Sequence, residues 1–255
     1  MNKIKSLIYK YLIPIIGRLL LNKNSYCNVI YYHDIVQGKG NSFMRMDYKK
    51  FKEQMLYLYN NGYETIRFDD FDNTDNLKFN KKRILIAFDD GWVSNYKEIF
   101  SLMSTLQLKY NVFLTIGKIG RDERYLTWDM VRSMHQSGLC SFGVHTYSHI
   151  DASSISVSTA AYEKEIIFAN DIFTKELGFR PNDFCYPYGK YTEHSNKALL
   201  SNPVYERIYL SDPRFSYKVS DYIFWGRNGI AEDDSFTIFK NKCKGFYNVL
   251  YFFTK

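Results

Sequence analysis

Two clusters in this chain have residue types and spacing suited to hydrolytic chemistry: Asp89-Asp90-Gly91 and His145-Thr146-Tyr147-Ser148-His149. Adjacent carboxylates repel unless a cation or a proton separates them electrostatically, so such a pair argues for a metal or for divided roles. Histidines four apart face the same way if the segment between them turns helically. Two neutral imidazoles and one carboxylate make a three-ligand zinc site with a position open for water, and the remaining acid is then free to act as a base. An HxxxH pair alone is weak evidence, because on a helix it is usually structural; its joint occurrence with Asp-Asp-Gly is the stronger signal.

Both clusters fall at strand ends. The apolar run Ile84 to Phe88 reads as a buried strand that stops at Asp89, with Gly91 permitting a sharp turn. Leu139 to Val144 reads as another strand, delivering His145. In parallel α/β folds the loops leaving the carboxyl edge of the sheet hold the chemistry.

The elements around them alternate. Cys27 to Tyr32 is a β-rich run ending in His33-Asp34. Asp47 is placed to cap a helix running to about Asn60 and closed by Gly62. Strands are predicted at Glu64 to Phe68, Tyr110 to Ile116, Asp183 to Tyr186 and Tyr205 to Leu210, with strand-like pieces from Tyr222 to Ile230. Helices are predicted from Ser94 to Leu108, from the Thr127 cap to Ser137, from Ser158 to Leu177 and from Glu193 to Leu200. This βα alternation implies a parallel α/β barrel or a doubly wound sheet.

A chain of 255 residues, 45% hydrophobic, suits one core. Its formal charge of +7 favours an anionic neighbour, but its lysines are dispersed and no nucleic-acid module is recognisable, which argues against nucleic acid as the partner. The 23 Tyr and 20 Phe suit sugar-stacking surfaces, but they accompany many Lys, Asn and Ile, and codon bias explains most of the excess. Cys27, Cys140, Cys185 and Cys243 lie far apart with no CxxC pair, and read as buried thiols in a reducing compartment.

Ahead of a domain at residues 25–255, residues 1–24 form an amphipathic basic helix: Ile4, Leu7, Ile8, Tyr11, Leu12, Ile15, Ile16, Leu19 and Leu20 recur at helical spacing among Lys3, Lys5, Lys10, Arg18 and Lys23. Lys10 and Arg18 keep the run short of the ~20 mostly apolar residues of a spanning helix. Two readings stay open for residues 1–21, packing on the domain or lying in a bilayer interface. The compartment stays open with them, between the cytoplasm at the inner face of the membrane and an anchored position outside it.

Phe88-Asp89-Asp90-Gly91 resembles the first motif of the polysaccharide deacetylase family (carbohydrate esterase family 4), and His145-Thr146-Tyr147-Ser148-His149 resembles its second. Phe184-Cys185-Tyr186-Pro187-Tyr188-Gly189 is similar to its third, and the resemblance runs from about residue 29 to 230. It implies an α/β fold of the distorted (β/α) barrel type. It also implies metal-dependent removal of N-acetyl or O-acetyl groups from the sugars of a cell-surface polysaccharide, or of its lipid- or nucleotide-linked precursor. Residue by residue, Asp89 would be the general base toward a metal-bound water, Asp90, His145 and His149 the ligands of Zn2+ or another divalent metal, and the Tyr188 N–H after Pro187 the oxyanion donor. Trp92, Tyr186, Tyr188, Tyr191 and Trp225 are candidates to shape a sugar groove, and each is equally suited to the core.

Two departures from the family pattern stand out. Cys185 occupies the place of an Arg that orients the catalytic Asp, and Arg227 is the candidate to supply that guanidinium from a later strand. A general-acid His near the C-terminus has no counterpart after His194. His33, in Tyr31-Tyr32-His33-Asp34-Ile35, resembles the opening strand of a permuted branch that includes the poly-N-acetylglucosamine deacetylases, and is the candidate acid; a purely structural His33 is the alternative. An amide or cyclic-imide hydrolase of the same superfamily and a non-catalytic glycan-binding descendant are the competing functions.

Overall fold

The computed structural model describes residues 7–20, 27–40, 43–72, 82–156, 159–201, 205–219 and 221–253. Its centre is a mostly parallel sheet. β1 (Asn28–Tyr32) and β5 (Arg83–Phe88) pair in parallel from Asn28 opposite Ile84 to Tyr32 opposite Phe88. β6 (Tyr110–Leu114), β7 (Cys140–Val144), β8 (Asp183–Cys185), β9 (Arg207–Tyr209) and β11 (Tyr222–Trp225) follow, each parallel to its neighbour. β4 (Glu64–Ile66) adds to β5, and β10 (Tyr217–Val219) lies antiparallel on β11. On the other side of β1 lies β12 (Asn228–Gly229). The hydrogen-bonded path is open between β11 and β12, and only Gly226 and Arg227 join those two strands along the chain. The architecture is a distorted α/β barrel whose sheet, among the described residues, is left open between β11 and β12. β2 (Asp34–Val36) and β3 (Arg45–Asp47) pair apart from it.

Every residue of β1, β6 and β7 is buried, as expected for parallel strands covered on both faces. Alternate residues serve two cores. Val29, Tyr31, Leu85, Ala87, Phe113, Tyr209 and Trp225 fill the inside, while Ile30, Ile84, Ile86, Phe88 and Val112 meet Phe51, Met55, Met103, Val131 and Met134 of the surrounding helices. In α2 (Tyr48–Asn60) the Asp47 carboxylate accepts from the Lys49 N–H at 2.8 Å, and Phe51, Met55 and Leu58 are buried on one face. Thr127 caps α4 (Trp128–Gln136) in the same way.

Local polar contacts moved several boundaries from where the sequence pattern set them. The strand predicted through Phe68 stops at Ile66, because Asp70 accepts from the Arg67 N–H at 2.8 Å and Asn111 from the Phe68 N–H at 2.7 Å, starting a 3-10 turn at Phe68–Asp72. The helix expected from Ser94 begins as a π turn (Asn95–Phe100) before α3 (Ser101–Leu106) and ends on a left-handed Gln107. Ser158, the expected start of the long helix, lies outside the described residues. Thr159 caps a first turn Ala160–Tyr162, followed by a π turn Glu163–Phe168 and α5 (Ala169–Leu177). α6 (Glu193–Ser201) and α7 (Phe236–Cys243) complete the set.

A π turn Ile8–Leu12 leads into α1 (Ile13–Leu20), which packs on a C-terminal 3-10 helix, Asn248–Phe253. Gly17 makes that contact possible: a Cβ there would sit 1.8 Å from the Phe246 carbonyl oxygen. Residues 1–6 and 21–24 of the expected helix lie outside the described residues. No helix among the described residues is long and apolar enough to cross a membrane. All four cysteines are free and buried.

Candidate active site

β5 ends where its chemistry begins. The Asp89 N–H still donates to the Tyr32 carbonyl, at 3.0 Å, but Asp90 (φ 76°) and Gly91 (φ 82°) are both left-handed. That double turn sends the two adjacent carboxylates in different directions. A left-handed non-glycine residue costs about 1 kcal/mol, and Asp is among the side chains that tolerate it. Neighbouring loops hold the turn, through Thr115 N–H to Asp90 C=O at 3.2 Å and Leu126 N–H to Gly91 C=O at 2.9 Å.

Asp89 faces Arg227, which the structure brings in from between β11 and β12. The guanidinium grips both carboxylate oxygens, at 2.7 and 2.9 Å. It also donates to the Leu210 carbonyl at 2.8 Å, reaches the Cys185 Sγ at 2.9 Å and lies 4.0 Å from the Tyr31 ring centroid. Burial works to raise the Asp89 pKa, but the charge and hydrogen bonds of Arg227 outweigh it and hold the carboxyl below its usual range. Burial also pushes the Cys185 thiol well up, so it stays protonated beside the guanidinium.

The His145–His149 segment is not a helix, contrary to the condition under which spacing by four aligns two side chains. Thr146 (φ 61°) and His149 (φ 65°) are left-handed, and these two reversals bring the imidazoles together with ring centroids 4.8 Å apart. The Thr146 Oγ1 accepts from the His149 N–H at 3.0 Å. The carboxylate of Glu165, buried in the π turn of the long helix, takes both the N–H and the hydroxyl of Ser148, each at 2.8 Å.

Both imidazoles aim at Asp90. His149 Nε2 lies 3.0 Å and His145 Nε2 3.6 Å from its Oδ1. His145 Nδ1 is 2.8 Å from the Cys185 carbonyl, which fixes the proton on Nδ1 and leaves the Nε2 lone pair facing inward. Burial lowers the His145 pKa to about 4, so the ring is neutral. Asp90 Oδ2 accepts from Trp92 Nε1 at 2.8 Å, whereas Oδ1 is buried with no aligned donor among the described residues. An orphaned carboxylate oxygen between two inward-facing imidazole nitrogens, all within 4.8 Å of one another, fits a divalent cation. A second group, Asp89, His145 and Cys185, is equally compact. It fits a cation less well, since Arg227 already holds both carboxylate oxygens of Asp89.

His33 lies at the same edge, its ring 4.9 Å from Phe43 and 5.7 Å from Tyr31, with a buried Nδ1 that has no hydrogen-bond partner among the described residues. Burial lowers its pKa, against the pull of Asp89 and Asp90. Tyr188, left-handed at φ 58° and 66% exposed, sets its ring edge-on to His149 at 4.7 Å, following the buried Pro187. Trp92 is partly exposed and stacks on Tyr125 at 4.6 Å.

Tyr186 and Trp225 do not shape a groove. Their side chains are 1% and 0% exposed, because strand alternation turns Tyr186 outward onto Tyr191 and Asn196 and Trp225 into the barrel. Sequence reading missed Glu165 and the Trp92 indole N–H as supports of the site. The available signal for the first was an acid on the apolar side of a helix.

The family model for polysaccharide deacetylases matches residues 76–205. A Bacillus subtilis (strain 168) protein named "Putative polysaccharide deacetylase YxkH" is 28% identical over 172 residues, covering 67% of this chain and 59% of its own length. This chain thus spans only 59% of that relative. A polysaccharide deacetylase from Bacillus cereus has a similar fold, with TM-score 0.72 at 20% identity over 86% of this chain and 69% of that one. So does IcaB from Ammonifex degensii, with TM-score 0.71 at 20% identity over 88% of this chain and 97% of that one.

Proposed function

Because this chain belongs to the polysaccharide deacetylase family, we propose that it hydrolyses N-acetyl groups from sugar residues of a glycan. The observation that carries this reading is the division of labour at the end of β5, where Asp90 Oδ1 meets two imidazole nitrogens while Asp89 is gripped by Arg227. In this reading Asp90, His145 and His149 would hold a divalent cation, and their two nitrogens and one oxygen suit zinc. When bound there, such a cation would supply Lewis acidity to the acetyl carbonyl and to the attacking water.

Asp89 takes the proton of that water. Arg227 keeps it ionised and fixes its plane, leaving the outward lone pairs to point at the nucleophile. The left-handed turn at Tyr188 offers a main-chain N–H to the oxygen that becomes negative at the acetyl carbon, a donor whose loss typically costs about 3 kcal/mol in the transition state. His33, whose Nδ1 has no partner among the described residues, would give the proton to the leaving amine as an imidazolium, the form that the neighbouring charges of Asp89 and Asp90 favour against burial. The exposed Tyr188 ring and the partly exposed Trp92 and Tyr125 flank the approach as stacking surfaces for sugar.

The test is acetate release from a panel of N-acetylated glycans, O-acetylated glycans and simple amides, using protein stripped by chelation and then resupplied with zinc. Release from N-acetylated glycans that returns only with metal is the expected result. Turnover of simple amides alone would move the protein to the amide hydrolases, and no turnover with metal bound would favour a glycan-binding descendant.

A further inference from the structure

We propose that the terminal layer of this molecule docks on an anionic phospholipid surface. The helix that ends at Leu20 is apolar on two opposite sides. One side, with Ile13, Pro14 and Gly17, is buried against Tyr247, Val249 and the backbone of Phe246. The opposite side presents Tyr11, Leu12, Ile15 and Leu19, which are 56, 48, 59 and 77% exposed and share a stripe at helical spacing. Phe252 and Phe253, in the 3-10 helix that supports α1, are likewise 64 and 58% exposed. Packing on the domain and an outward apolar face, alternatives for a helix with one apolar side, thus coexist here. A helix that is apolar all round belongs in a buried setting, so the outer side calls for a cover.

Charge identifies the cover. Residues 1–33 carry five Lys or Arg and residues 236–255 carry four Lys, and neither segment contains a single Asp or Glu. All 27 acidic residues lie in 34–235, where only 25 of the 34 basic residues remain, giving a net charge of −2 there. The lysines are dispersed but the acids are not, and the +7 of the chain is contributed wholly by the two segments from which this layer is drawn. An apolar face edged by Lys10 and Arg18 matches the boundary between anionic headgroups and acyl chains, with the helix lying in its plane.

The same layer reaches the site. A cleft of about 410 Å³ runs between Tyr9, Tyr247 and Leu250 on one wall and Tyr31, Phe43 and Ser211 on the other. Tyr31 carries the Arg227 guanidinium on its face, and Phe43 abuts His33. A docked layer therefore holds the edge of the barrel that bears Asp89 close to the lipid surface.

Sedimentation of the whole chain with vesicles of phosphatidylcholine, with and without phosphatidylglycerol, tests this. Binding to the phosphatidylglycerol vesicles, weakened by salt, is expected. An Ile15→Glu/Leu19→Glu variant should lose about tenfold or more in partition, with its circular dichroism spectrum and any turnover of soluble substrate unchanged. Lys10→Glu/Arg18→Glu, which keeps the apolar face, should lose the preference for phosphatidylglycerol. Failure to bind either vesicle, or binding that neither variant weakens, would overturn the proposal. So would a concentration-dependent dimer abolished by Ile15→Glu/Leu19→Glu, which would assign the face to a second copy.

Discussion

Asp89 and Asp90 are neighbours in sequence with nearly opposite surroundings, and single substitutions should separate their effects. Asp89→Asn removes the proposed base while leaving Asp90, His145 and His149 intact. Turnover should fall by about 10²- to 10⁴-fold with bound zinc unchanged. Zinc loss equal to that of Asp90→Asn, measured by elemental analysis, would show that the two roles are wrongly divided. Arg227 has no exposed surface and its charge is matched by Asp89, so Arg227→Met should strand a buried carboxylate and cost about 3–5 kcal/mol in urea unfolding. Adding Asp89→Asn to that variant should recover much of the stability without any activity. His33→Ala should cut turnover with zinc retained; near-normal turnover would leave His33 a structural strand-end residue.

At the scale of elements, the site depends on irregular backbone held by ordinary supports. The loop that carries both histidines is pinned through Ser148 to Glu165, in a π turn, a distortion often found at functional sites. Glu165→Gln keeps the shape but weakens one of those two bonds. It should lower zinc affinity about 10- to 100-fold, read by competition with a chelating dye, while the melting temperature changes little. Gly91 is the other hinge. Its φ of 82° is left-handed, and a Cβ would lie 3.0 Å from the side chains of Ile119 and Leu114. Gly91→Ala should cost roughly 1–2 kcal/mol from the backbone alone, and should displace Asp90 enough to be seen as weaker zinc binding.

For the molecule as a whole, parallel strands bring to one edge residues that lie more than a hundred positions apart. His33, Asp89, His145, Tyr188 and Arg227 stand at or just beyond β1, β5, β7, β8 and β11, whose parallel ladder puts their carboxyl ends on the same side. The two-residue step from β11 to β12 is the mount of Arg227. Across the inside, Gly143 admits the Phe113 ring and the Asp183 carbonyl, which would lie 2.7 and 2.8 Å from an added Cβ. Gly143→Ala should overpack the barrel and cost about 1–3 kcal/mol on thermal unfolding.

Residue types, spacing and period told most of this in advance. Apolar runs that stop at Asp89 and His145 marked strands and their edge, the βα alternation marked the class of fold, and Asp47 and Thr127 marked two helix starts, because capping and burial are local in sequence. Spacing alone misjudged how His145 and His149 converge, since two left-handed residues rather than a helical turn align them, and such a backbone is stable only inside contacts from Glu165 and Thr146. For Tyr186 and Trp225 the sequence leaves groove and core equally open, because an aromatic's type does not reveal which side of a strand it faces, and the fold places both in the core. The family resemblance offered Arg227 as the partner of Asp89, and the fold brings the two together; only the tertiary structure put the Cys185 carbonyl on His145 and the Trp92 indole on Asp90. Each joins parts of the chain that no period links, or depends on a turn whose dihedral angles its surroundings impose.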